Sequence, residues 1–230
     1  FNIYPKGDPR HSLSLQERLE GMGAVTLDQV KAHYRRFYAA NRAQFAIVGD
    51  FDEEEVIAAI REGFADFRND TPWTRITGDY RAIAPANLTL QTPDKENAVL
   101  LARMNLDINQ NDPDYAAFFL ADYMLGGGAG FDSRLTARIR VKEGLSYGVS
   151  AQGGGGIFDR AGSWMAQAIA APQNIAKVEK ALREEIELAL KDGFTDEQIA
   201  KAKSGWLQSF AQIRVQDQQL AGGEAVAALD

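Results

Sequence analysis

SRLTARIRVKEGLSYGVSA, residues 133–151, passes from a helical pattern through a glycine into a β-type run. Arg140 falls near the helix end, and Tyr147 opens the strand seven residues later. Both side chains can grip an oxyanion or a carboxylate, yet no catalytic group stands beside them in sequence. The fold and the function both turn on what such a helix-to-strand corner is for.

Downstream, SWMAQAIA (163–170) is another strand, and Gly153 to Gly156 make the connection to it. Upstream, ARMNLDI (102–108) alternates apolar Ala102, Met104, Leu106 and Ile108 with polar Arg103, Asn105 and Asp107, the mark of a strand with one wet face. NLTLQ (87–91) is a further strand candidate. Asp112-Pro113 is expected to cap and start a helix carrying Tyr115, Phe118, Phe119 and Tyr123, which Gly126 to Gly128 end. Two long helices close the chain. Ile175, Val178, Leu182, Ile186 and Leu190 stripe the first; Thr195 with Gln198 caps the second, striped by Ile199, Ala202, Trp206, Phe210 and Ile213. Paired strands separated by paired helices predict an α+β fold, a two-layer sandwich with helices packed on one face of a largely antiparallel sheet.

Nearer the start, Thr26 to Gln29 form a capping box before a helix striped by Leu27, Val30, Tyr34, Phe37 and Tyr38. Asn41 suits a left-handed stop. QFAIV (44–48) reads as a buried strand, and Asp52 with Glu55 as a second capping box before the stripe Val56, Ile57, Ile60, Phe64 and Phe67. Turn formers then dominate, so residues 69–85 are expected to be a linker that packs on a surface through Trp73 and Tyr80. The Ala/Gly-rich end, 221–230, reads as a frayed or truncated terminus. A first residue Phe1, with no methionine or signal-like stretch, suggests a piece of something longer.

Composition narrows the function. The 230 residues are 45% apolar and 25% charged, ordinary for a globular protein. A net charge of −7 argues against nucleic acid, which needs a basic stripe. No apolar run approaches the ~20 residues that span a bilayer. With no cysteine, thiolate nucleophiles and thiolate metal sites are excluded. Only His11 and His33 could supply imidazole, and neither belongs to a His-x-x-Glu-His pattern or its inverse, so no metal site or histidine triad is expected in this segment. The glycine tracts lack the Gly-Lys-Ser/Thr of a phosphate loop and read as turns. Asp52 to Glu55 complement a helix dipole.

Arg140-Val-Lys-Glu-Gly-Leu-Ser-Tyr147, preceded by Ser133-Arg134-Leu135, resembles the arginine–tyrosine motif in the C-terminal portion of the pitrilysin/insulinase zinc-peptidase family, peptidase family M16. The resemblance extends in order through Tyr4-Pro5, Phe37-Tyr38, Asn41, Val48-Gly49-Asp50-Phe51, the helix 53–67 and Gly193-Phe194-Thr195. It implies the LuxS/mitochondrial-processing-peptidase-like metallohydrolase fold. It also implies that residues 1–68 are the latter part of one M16-like α/β domain and 86–230 a complete following one.

Members of that family close two halves around a chamber, with zinc in one half. The resemblance therefore implies a non-catalytic half that binds peptide or unfolded polypeptide and closes the chamber, facing a catalytic M16 half in the same chain or a partner subunit. Zinc belongs to that other half, and this segment alone is expected to cleave nothing. Arg140 would anchor the substrate backbone with its planar fork, and Tyr147 would hydrogen-bond near the reacting carbonyl. The same residues have plainer uses: a helix-end arginine caps carbonyls, and a strand-start tyrosine packs in a sheet. The wet-faced strand 98–108 is either simply exposed or a chamber wall to which a peptide adds. The rival functions are a scaffold protein of the same fold without proteolysis and an unrelated peptide-binding α+β module. The family favours a periplasmic or secreted location.

Overall fold

In a computed structural model that describes residues 3–128 and 133–227, the chain divides into two compact units, 1–76 with 207–230, and 77–206.

The unit 77–206 is built on three strands, β1 (Ala98–Leu106), β2 (Ser146–Gly154) and β3 (Gly162–Ala170). Their order is β1-β3-β2, and both pairings are antiparallel. β3 is central, and its inward residues Trp164, Ala166, Ala168 and Ala170 are all buried. Three of the four are alanines, small enough for helices to approach the sheet closely. Helix α5 (Ile175–Asp192) brings Val178, Ala181 and Leu182 to this face, and the segment after Ser133 brings Leu135 and Ile139. Leu135, Ile139 and Val178 are fully buried, each stabilising the fold by about 1.5–3 kcal/mol. The result is the expected α+β arrangement, with helices on one face of an antiparallel sheet.

Several local expectations are revised. NLTLQ forms no strand, and Leu88 and Leu90 are exposed. A β-run is a strand only when a neighbour supplies its ladder, and no described residue pairs with 87–91. The connection between β2 and β3 is shifted: Gly153 and Gly154 belong to β2, and residues 155–161 turn the chain. Helix α4 (Tyr115–Asp122) starts later than Asp112-Pro113 suggested, because the Asp112 carboxylate accepts from the Asp114 N–H and from Arg160 instead of capping the helix. It ends in a π-helical turn, Tyr123–Gly127. In α5 the apolar stripe stops at Ile186, and Leu190 is exposed. Within this unit the Gly78 N–H donates to Asp159 and the Asn105 amide to the Arg81 carbonyl, which fixes the stretch leading into β1.

The other unit holds α1 (Leu15–Ala24), α2 (Leu27–Phe37) and α3 (Glu53–Gly63). α1 was not expected, although it has its own capping box, Ser14 with Glu17, legible in the sequence as Ser-x-x-Glu. Thr26 and Gln29 form the expected box, whereas Asp52 caps Glu55 without the reciprocal bond. Asn41 lies in a 3-10 turn, not a left-handed stop; no described non-glycine residue has positive φ. Residues 44–48 form no strand, again without a described pairing partner. The helix stripes are aromatic-rich, with Tyr34 stacked on Tyr38 and on Phe67. They stay largely solvent-exposed, and among the described residues of this unit only Ala39 is buried. A stripe becomes a core only where a sheet or helix covers it.

Helix α6 (Asp196–Arg214) opens on the Thr195–Gln198 box. Residues 217–227 form a helix, α7, where a frayed end was expected; the last three residues of that expectation lie outside the described residues.

Candidate functional site: the Arg140–Tyr147 corner

The corner read from the sequence is present, with a different helix type. Residues Thr136–Lys142 form a π-helix, closed by a bond from the Glu143 N–H to the Arg138 carbonyl. π-helical turns are uncommon and concentrate at functional sites. Gly144 then adopts φ +60°, a left-handed conformation that glycine takes without strain, and the Leu145 N–H bonds back to the Ile139 carbonyl. This stop turns the chain sharply into β2.

Three residues of the π-helix do three jobs. Ile139 is locked in the core. Arg138 reaches α5, pairing with Glu143, Glu184 and Glu185. Glu143 foremost, and Glu184 with it, hold the Arg138 guanidinium further above its ordinary pKa. Arg134, one turn back, also pairs with Glu185 and donates to the Gly193 carbonyl. Arg140 turns the other way: its guanidinium carbon lies 4.8 Å from the centroid of the Tyr147 ring. Such a cation–π contact at a solvent-facing position is worth about 0.5–1 kcal/mol. Tyr147 is 85% exposed.

The structure thus brings the two sequence-predicted site residues together at one surface. Chemically, the pair offers a charged fork and a phenol O–H within one small area, which suits gripping a carbonyl or a carboxylate. The sequence reading missed the carboxylate network behind it; the only trace was the run of two glutamates in the middle of α5.

A concave space of about 440 Å³ lies beside the corner, between Phe119, Tyr123, Thr136 and the middle of β2. Neither Arg140 nor Tyr147 lines it. Among its described lining residues, the carboxylate Asp122 is buried and accepts from Trp164 Nε1 at 2.8 Å. Burial pushes the Asp122 carboxyl up, against the opposing hydrogen bonds from the Gly153 backbone and Trp164.

The described residues do not fit a zinc centre. Among the described residues no group of three His, Cys, Asp or Glu side chains could hold a metal ion. His11 Nδ1 is engaged by the Tyr4 carbonyl at 2.7 Å, and His33 packs on Phe37 in the other unit's second helix. No described helix is long and apolar enough to cross a membrane.

Comparison with known proteins places the chain in a family. A family model described as the peptidase M16 inactive domain matches residues 24–205. An uncharacterized zinc protease of Mycobacterium leprae is 28% identical over 207 residues, covering 88% of this chain and 44% of the relative. One from Streptomyces coelicolor is 26% identical over 204 residues, 86% of this chain and 43% of that protein. The chain therefore spans less than half the length of these relatives. Among solved structures, a peptidase M16 inactive domain from Pseudomonas fluorescens superposes with a TM-score of 0.72 at 25% identity, covering 86% of this chain and 47% of that one. A protease from Helicobacter pylori shares the fold at a TM-score of 0.69 and 16% identity, over 90% of this chain and 50% of that one. With four-fifths of its length matched by the family model, the chain belongs to the peptidase M16 inactive-domain family.

Proposed function

We propose that this chain is the substrate-binding, chamber-closing part of an M16 zinc metallopeptidase, and that it presents Arg140 and Tyr147 to a peptide held at a zinc centre on the catalytic half. The observation that carries this reading is the contact itself: the Arg140 guanidinium lies against a Tyr147 ring that is 85% exposed. The ring is not covered by the core, so core packing does not account for its place. Here the ring faces outward and is braced by a cation, so its hydroxyl is held out towards a ligand.

The division of labour follows from the two groups. The guanidinium fork takes a backbone carbonyl or carboxylate in fixed orientation. The phenol donates a single hydrogen bond to oxygen that gains charge during peptide hydrolysis. Both act on substrate and leave metal chemistry to the catalytic half. A periplasmic or secreted location is part of the same reading, and fractionation of cells making the full protein tests it.

The decisive experiment uses the full-length protein with a quenched fluorescent peptide. Tyr147→Phe is expected to lower kcat with unchanged thermal stability. Unchanged kcat would remove the catalytic role and favour a scaffold of the same fold.

A further inference from the structure

Tyr147 stands where strict strand geometry would not put it. Within β2, Ala151 is buried and Val149 packs against the core. Side chains alternate faces along a strand, so in an unbroken β2 Tyr147 would share the core face with Val149 and Ala151. A break in register prevents this. Ser146 pairs with Ala170 and Gly148 with Ile169, so two successive residues of β3 face three of β2, and Tyr147 is the extra one. A β-bulge of this kind interrupts the ladder and re-aims a side chain.

The bulge has its own clamp. Ser146 is buried, 6% exposed, and its Oγ lies 2.7 Å from the Ile169 carbonyl oxygen and 2.8 Å from that of Gly148. One carbonyl is on the central strand and the other lies beyond the bulge on the same strand as Ser146. The hydroxyl's one hydrogen lies within reach of both carbonyls, so this side chain ties β2 to β3 and to its own continuation at the interruption.

We propose that Ser146 is a positioning residue: its buried hydroxyl holds the β2 bulge that turns Tyr147 away from the core and onto Arg140. This rests on the reading of Tyr147 given above and extends it to a residue that touches no substrate.

The test uses the full-length protein with Ser146→Ala, and with Ser146→Thr, which keeps the hydroxyl. Ser146→Ala is expected to lower kcat by about ten- to a hundredfold, the scale of a small misplacement of a catalytic group, with KM little changed. Ser146→Thr should restore it. In a Tyr147→Phe background Ser146→Ala should cost kcat nothing further. A crystal structure of Ser146→Ala should show the Tyr147 ring swung away from the Arg140 guanidinium. If the bulge and the stacking of Arg140 on Tyr147 persist without the hydroxyl, or if Ser146→Ala lowers kcat equally in both backgrounds, the proposal is overturned. If Tyr147→Phe alone leaves kcat unchanged, the functional reading of Tyr147 fails, and the crystal structure still judges the clamp by itself.

Discussion

Arg140 and Tyr147 lie seven residues apart in the chain and come within cation–π distance, 4.8 Å from guanidinium carbon to ring centroid, because a π-helix and a strand meet there at a left-handed glycine. Tyr147→Phe keeps the ring and the stacking but removes the O–H donor. In the full-length protein it is expected to lower kcat by about 10²-fold, the usual loss for one preorganised donor. Steady-state kinetics on a fluorogenic peptide check this, with equal Tm for both proteins as the control.

Arg140→Lys separates charge from shape. Lysine keeps the cation but lacks the planar fork and stacks less well. KM for peptide is expected to rise severalfold in the lysine variant and no less in Arg140→Ala. Wild-type KM in Arg140→Lys would show that charge alone suffices.

Glu185 is buried in α5 and lies 3.3 Å from Arg134 Nε and 3.5 Å from an Arg138 nitrogen. Neutralising it removes the carboxylate that Arg134 and Arg138 share, while Arg138 keeps Glu143 and Glu184. Glu185→Gln is expected to lower Tm by several degrees, at about 2–4 °C per kcal/mol for a chain of this size. Differential scanning calorimetry reads this, and an unchanged Tm would show that the network is electrostatically idle.

Two glycines of the same unit should respond in opposite ways to alanine. A Cβ on Gly126 would fall 2.7 Å from the Ala151 Cβ and 2.8 Å from its backbone nitrogen, whereas one on Gly154 would meet nothing within 4 Å. Gly126→Ala is expected to destabilise by about 1–3 kcal/mol through overpacking against backbone that cannot give way. Gly154→Ala should be neutral within about 0.5 kcal/mol, the range of substitutions that disturb no contact. Urea unfolding midpoints of the two variants distinguish them.

Asp122 gives the fold a pH dependence of definite sign. Burial raises its carboxyl pKa in the folded chain, so the native state keeps the proton to higher pH than the unfolded state does. Through that window the unfolded state binds fewer protons, and stability falls as pH rises. The contribution is complete below the ordinary aspartate value of about 3.9 and is lost as pH climbs through the raised one. Asp122→Asn is expected to flatten this slope above the ordinary aspartate range. It should also lower overall stability, because its amide turns one N–H towards the Gly153 donor. Denaturation midpoints with the same pH slope in both proteins would contradict the assignment.

Much of this was legible in the sequence. Local chemistry spelled out the capping boxes at Thr26 and Thr195, the α5 stripe through Ile186, and the glycine stop before β2, because each depends on residues a few positions apart. In β1 the expected apolar face holds at Ala102 and Leu106, whereas Met104 is exposed. The motif also marked Arg140 and Tyr147. The missed strands and the uncovered stripes share one cause. Residues 44–48 and 87–91 have strand composition but no described partner, and the α2 and α3 stripes have helical spacing but no described cover; pairing and cover are supplied by residues distant in sequence.

By itself the sequence determined a helix, a stop and a strand with an arginine and a tyrosine on either side, since these follow from spacing and from glycine's freedom at positive φ. Whether Tyr147 points into the core or out of it was decided only by tertiary structure. Simple alternation assigns it to the core face beside Val149 and Ala151. The register of β2 against β3 inserts one extra residue, with the Ser146 hydroxyl bridging the gap, and that long-range pairing places the ring outside against Arg140.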